Sequence, residues 1–150
     1  MPRTKLAEQS VYEFCYAITL QPRDINYGGH LGVDSLVSII GAARAYIFKS
    51  AGLSEINLGD DRTGIIMTDV QVNLQAEGFM FDNLEVHTHI GELTKNGFRF
   101  FHKVTRGDSI VALAEMGFLA YDYTAEKLAT VPEPFIHGLG LSRSPRFSNK

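Results

Sequence analysis

The 150-residue chain predicts an α+β architecture, one long helix against an antiparallel sheet. Three observations carry this. A segment of roughly one and a half dozen residues from Asp34 has apolar residues at helical spacing. Period-two segments dominate after it, and glycine-marked turns separate them. No linker, repeat or low-complexity run interrupts the chain. Residues 1–150 therefore read as one domain, with a loosely packed tail from about 138.

Residues 11–20, VYEFCYAITL, are apolar and aromatic with partial alternation and predict a first strand. Gln21 to Gly32 contain Pro22 and three glycines and cannot be regular throughout. A helix follows from Asp34 or Ser35 to Ala51, with Asp34 as N-cap and Gly52 as stop. Leu36, Ile40, Ala43 and Ile47 share one helical face. Val37, Ile39, Tyr46 and Phe48 add apolar residues elsewhere, predicting burial around most of the circumference. Its length is roughly 25 Å.

After a Gly- and Asp-rich loop (52–64), Thr68, Val70, Val72 and Leu74 alternate with Asp69, Gln71 and Asn73. Leu84, Val86, Thr88 and Ile90 alternate with Glu85, His87 and His89. Asn96-Gly97 predicts a two-residue hairpin turn into Phe98–Thr105. Arg106-Gly107-Asp108 predicts a second tight turn, into a central strand from Ile110 to Tyr121. From Pro132 a short segment is expected on the sheet edge, followed by the tail. One helix covers only part of such a sheet, so a second copy of the chain is the expected cover.

Hydrophobic residues make up 45% and charged residues 21%, enough apolar side chain for a real core. A net charge of -3 leaves no basic surplus for nucleic acid. The run Arg143, Arg146, Lys150 reads as a solvated tail. The lone Cys15 permits no intrachain disulfide and suits a reducing, cytoplasmic setting. Between Phe14 and Tyr16 it reads as a small buried hydrophobe. No stretch approaches the ~20 apolar residues of a membrane span. MPRTKLAEQS lacks the apolar core of a signal peptide.

The segment Arg23-Asp24-Ile25-Asn26-Tyr27-Gly28-Gly29-His30-Leu31 carries the chemistry. It resembles the signature of the 4-hydroxybenzoyl-CoA thioesterase-like hotdog proteins: an acidic residue, a second polar residue two positions on, then Gly-His before a long helix. Ala43-Arg44 and the turn at Phe81-Asp82-Asn83 fit the same pattern, and the resemblance covers roughly residues 10–125. It implies a hotdog fold, with a long central helix wrapped by a five-stranded antiparallel sheet. It also implies homodimers or homotetramers with active sites at subunit interfaces. The substrate it implies is an acyl-CoA or acyl-carrier-protein thioester. Coenzyme A enters only as part of that substrate, with no separate cofactor and no metal.

One position departs from the signature. The usual catalytic carboxylate is replaced by Asn26, and an amide accepts no proton near neutral pH. Were the segment extended, Asp24 would point to the same side as Asn26 and could supply the charge. The expected catalytic set is Asp24, Asn26 and His30, with Tyr27, Gly28, Gly29 and Asp34 binding substrate. Thioester hydrolysis needs an activated water and a stabilised oxyanion, and N–H groups of the glycine bend suit the latter. Each residue also has a plainer reading. Asp24 caps a turn or pairs with Arg23, Asn26 forms an Asx turn, His30 braces the loop and Asp34 caps the helix.

His87 and His89 have the spacing of metal ligands but no evident third ligand, so a solvated or interface face is expected. Glu115 is expected to be a paired sheet residue rather than a carboxylate lent to a partner. Two other activities fit the motif less well. A hotdog enoyl-CoA hydratase or dehydratase would carry Asp-x-Asn-Pro-x-His, whereas Tyr27 replaces the proline here and His30 lies one residue further on. A non-catalytic acyl-ligand binder would tolerate Asn26.

Overall fold

The computed structural model describes residues 4–142. The elements are β1 (Phe14–Thr19), a 3-10 turn (Pro22–Asp24), α1 (Val33–Ser50), β2 (Thr63–Leu74), β3 (Asn83–Gly91), β4 (Gly97–Arg106), β5 (Ser109–Asp122), β6 (Lys127–Leu128) and α2 (Glu133–Gly138). The strands form one antiparallel sheet in the order β1-β3-β4-β5-β2, with the short β6 added on β5. β1 pairs with β3 from Phe14 opposite Thr88 to Thr19 opposite Asn83. This is the expected sheet and long helix, plus β6 and α2, which the sequence did not announce.

The buried positions of α1 are Leu36, Ile39, Ile40, Ala43, Arg44, Ile47 and Phe48. They recur at three- and four-residue spacing and form one stripe. Burial around most of the circumference is thus corrected. Ile39 and Phe48 belong to the same stripe as Leu36, while Val33 and Tyr46 are exposed. The Leu36 N–H donates to the Gly32 carbonyl at 2.9 Å, so Gly32 takes the N-cap position and Asp34 lies in the first turn. The expected stop holds: Leu53 N–H returns to Phe48 O at 2.8 Å, the closing bond of a Schellman ending.

Three strand expectations are corrected. β1 starts later than residue 11, and its odd-numbered residues face outward, so Cys15 is exposed rather than buried. β2 starts at Thr63, inside the expected loop, and as an end strand leaves Met67, Val70 and Leu74 exposed. The β3–β4 connection spans residues 92–96 rather than two residues, closed by Thr94 N–H to Gly97 O at 2.9 Å. Gly97 is required for close approach instead: a Cβ there would lie 2.6 Å from Phe118 O. The turn at Gly107 and the alternation along β3 are as expected.

Backbone contacts group the chain into two compact units. One comprises Met1–Arg44, Gln71–His89 and Phe101–Glu115. Its buried residues include Leu20, Leu31, Leu36, Ile40, Leu84, Val86, Val104 and Val111. The other comprises Ala45–Val70, Ile90–Phe100 and Met116–Lys150. Its core is aromatic. Phe135 of α2 stacks on Phe98 with centroids 4.6 Å apart and meets Phe48 edge-on at 5.7 Å. The segment after Pro132 therefore enters a core rather than lying on an edge. Leu139 is buried and Leu141 N–H bonds Ile136 O, so packing continues past residue 138. Arg143, Arg146 and Lys150 lie outside the described residues. Among the described residues no helix is long and apolar enough to cross a membrane.

Candidate active site

The bend before α1 is closed by its own backbone. Ile25 bridges Leu31 in antiparallel fashion, and Asn26 N–H donates to His30 O at 2.8 Å. Gly29 N–H donates to Asn26 O at 3.1 Å, and Gly29 has φ +82, a left-handed conformation that glycine adopts without strain. The Asn26 side chain then locks the bend: its Oδ1 accepts N–H bonds from Gly28 at 3.0 Å and His30 at 3.3 Å. Leu31 N–H donates to Gly78 O and Gly32 N–H to Asp24 O. Every N–H from Gly28 to Gly32 is thus already used. The glycine N–H groups expected to hold an oxyanion are engaged in holding the shape of the bend.

The same bonds orient the amide of Asn26. Two N–H donors demand the oxygen, so the Nδ2 amino group is turned the other way. No hydrogen bond among the described residues uses it. Asn26 lines a surface pocket of about 330 Å³ together with His30, Leu31, Leu74, Gln75, Ala76 and Glu77. His30 Nε2 lies 3.4 Å from Glu77 Oε2, and its ring meets Phe79 edge-on at 5.6 Å.

Glu77 is a site residue that sequence reasoning missed. It sits in the segment between β2 and β3, where a single Glu before a Gly carries no pattern. The segment's approach to the bend is set by packing. Gly78 lies against Leu20 and Leu31, and a Cβ on it would stand 3.1 Å from each. Arg106 Nη1 holds the same segment through Glu77 O at 2.8 Å and Asp82 Oδ2 at 2.9 Å. The Phe79 N–H and the Arg106 guanidinium hold the Asp82 carboxyl below its ordinary pKa.

The structure separates Asp24 from this group. Asp24 closes the 3-10 turn begun by Pro22, is 8% exposed, and accepts the Gln21 N–H on Oδ2 at 2.8 Å. Asp24 is buried while Asn26 is exposed, and Asp24 does not line the pocket that Asn26 lines. Tyr27 stands fully exposed at the tip of the bend. Asp34 is exposed in the first turn of α1, and a Cβ on Gly32 would lie 2.5 Å from its Oδ1. None of these three lines the pocket. Glu115 is half-buried in β5 and has an interaction partner. His89 pairs with Glu13 at 2.8 Å.

A family model described as the thioesterase-like superfamily matches residues 20–139, four-fifths of the chain and all of this site. The chain belongs to the thioesterase-like superfamily. Solved structures share its hotdog fold. A 1,4-dihydroxy-2-naphthoyl-CoA thioesterase from Synechocystis superposes with TM-score 0.76 at 17% identity, covering 85% of this chain and 95% of that one. A hypothetical protein from Aquifex aeolicus superposes with TM-score 0.78 at 21% identity, covering 84% and 98%. A gentisyl-coenzyme A thioesterase superposes with TM-score 0.73 at 14% identity, covering 83% and 98%. No curated protein matches the chain. The family makes this thioesterase-like protein a thioester hydrolase, the enzyme class its motif implied.

Proposed function

We propose that this thioesterase-like protein hydrolyses acyl-CoA thioesters, with His30, Glu77 and Asn26 as the working groups of the bend pocket. The observation that carries the reading is that the His30–Glu77 pair lines the same pocket as Asn26, whose amino group no hydrogen bond among the described residues uses. Glu77 orients the imidazole through Nε2, leaving Nδ1 to take a proton from water. The water oxygen attacks the thioester carbonyl carbon, and Asn26 Nδ2 donates to the developing oxyanion. The carbon–sulfur bond then breaks, and the imidazolium returns its proton to the leaving thiolate. This chain thereby replaces the missing motif carboxylate with one from another segment. Asp24, Gly28 and Gly29 shape the bend, while Tyr27 and Asp34 stand outside the pocket, where the rest of a long thioester would pass.

Two of the similar structures are named as thioesterases of CoA esters, which supports coenzyme A over a carrier protein. The exposed Met67, Val70 and Leu74 on an end strand support a homodimer or homotetramer with the site at the interface. The uninterrupted match over residues 20–139 supports a single domain. A lone cysteine without a disulfide supports a cytoplasmic setting. The test is thiol release from acyl-CoAs of several chain lengths. Free CoA supports the proposal. Hydration of an enoyl-CoA without thiol release would replace it with the hydratase reading. Ligand-dependent thermal stabilisation with neither product would replace it with the binder reading.

A further inference from the structure

The outer face of β1 and β3 brings together three different metal-ligand types from two strands. Cys15 stands directly opposite His87 in the strand register, and Glu85, two residues before His87, projects from the same face. Glu85 is opposite Ala17, whose small side chain leaves it free to lean toward Cys15. Cys15 Sγ is 3.6 Å from Glu85 Oε2, and His87 Nε2 is 3.9 Å from Glu85 Oε1. One donor atom from each of the three residues falls within 4.8 Å of the other two. A tetrahedral zinc ion with bonds of 2.0–2.3 Å needs its donors roughly 3.3–3.7 Å apart. Small rotations of two exposed side chains, Cys15 and Glu85, cover the difference.

We propose that Cys15, Glu85 and His87 form a surface site for a zinc-type divalent cation, separate from the bend pocket. The donor set of one thiolate, one imidazole and one carboxylate suits a borderline-soft ion such as Zn²⁺ and disfavours Mg²⁺ or Ca²⁺, which take oxygen ligands. Three protein ligands leave a fourth position for water. The buried Thr105 lies behind His87, its Oγ1 3.3 Å from Nε2. Cys15 binds as thiolate and its proton passes to solvent. The neighbouring His89 has Glu13 as its partner but no sulfur donor, which fits an ion pair. Because β1 is an end strand of the sheet, a metal joining it to β3 clamps that end, and binding stabilises the folded chain.

The test uses the full chain with Zn²⁺, followed by competition against a chromophoric chelator, and with Co²⁺, followed by absorption. One Zn²⁺ per chain is expected, with a rise in Tm on addition. Co²⁺ should produce a thiolate-to-metal charge-transfer band with tetrahedral ligand-field bands. Cys15→Ala and His87→Ala should each weaken Zn²⁺ binding at least about tenfold, and Cys15→Ala should abolish the charge-transfer band. Cys15 and Glu85 are exposed and His87 is half-buried, so circular dichroism should show an unchanged fold. His89→Ala should leave affinity unchanged. Failure of the parent chain to bind Zn²⁺, or equal weakening by His89→Ala, would overturn the proposal. So would full binding by Cys15→Ala.

Discussion

His30 Nε2 stands 3.4 Å from Glu77 Oε2, linking the bend before α1 to the segment after β2. If this pair activates water, Glu77→Gln should lower kcat by roughly 10- to 100-fold. His30→Asn should lower it by about 10²–10⁴-fold, with far-UV circular dichroism unchanged. The double variant should lose little more than His30→Asn alone, because the two act as a unit. Losses that simply multiply would show that the residues act independently.

Asn26 has two separable functions. Its oxygen holds two N–H groups of the bend, and its amino group is the donor proposed for the pocket that Asn26 lines. Asn26→Asp keeps the acceptor and exchanges the donor for the carboxylate usual at this motif position, so Tm should hold while kcat changes. Asn26→Ala should lose both, with a stability cost of about 1–2 kcal/mol for the freed N–H groups. Parent-level turnover in Asn26→Ala would eliminate the donor role.

Asp24 acts on the turn in this geometry, through its bond from the Gln21 N–H. Asp24→Ala should cost about 1 kcal/mol of stability by urea denaturation. Asp24→Asn, which still offers an acceptor oxygen, should leave both stability and kcat near the parent values. A collapse of kcat in Asp24→Asn at unchanged stability would assign the carboxylate to chemistry instead.

His102 should make stability fall in mild acid. It is 1% exposed, its Nδ1 lies 2.8 Å from Thr88 Oγ1, and burial, with a smaller contribution from Arg44, depresses its pKa from 6.5 to about 3. Between those values the unfolded chain binds a proton that the folded chain refuses. Its contribution is intact above pH 6.5 and is lost as pH falls toward 3, at up to about 1.4 kcal/mol per pH unit. Urea midpoints measured from pH 7 to 4 should fall more steeply for the parent than for His102→Gln. Superimposable pH profiles would show that His102 is not held neutral.

Much of the architecture was legible because periodicity is local. Leu84, Val86, Thr88 and Ile90 declared β3, and Leu36, Ile40, Ala43 and Ile47 declared the buried face of α1. The motif marked the bend, since a left-handed Gly29 and a bend-locking Asn26 are needs of the local backbone. Local pattern misled where position in the sheet mattered. Cys15, flanked by aromatics, faces out because β1 alternates, and β2 exposes apolar residues because it is an end strand.

From residue order alone came the long helix, the five main strands and the bend, written in neighbouring residues whose spacing obeys the geometry of helix and strand, while the family came from the motif's resemblance. Tertiary structure alone decided that Gly78 takes the Leu31 N–H, that Glu77 meets His30, and that Cys15 meets Glu85 and His87. The physical reason is distance. Pairings between residues far apart in the chain depend on strand register and loop closure, which the packing of the chain sets and no local pattern encodes.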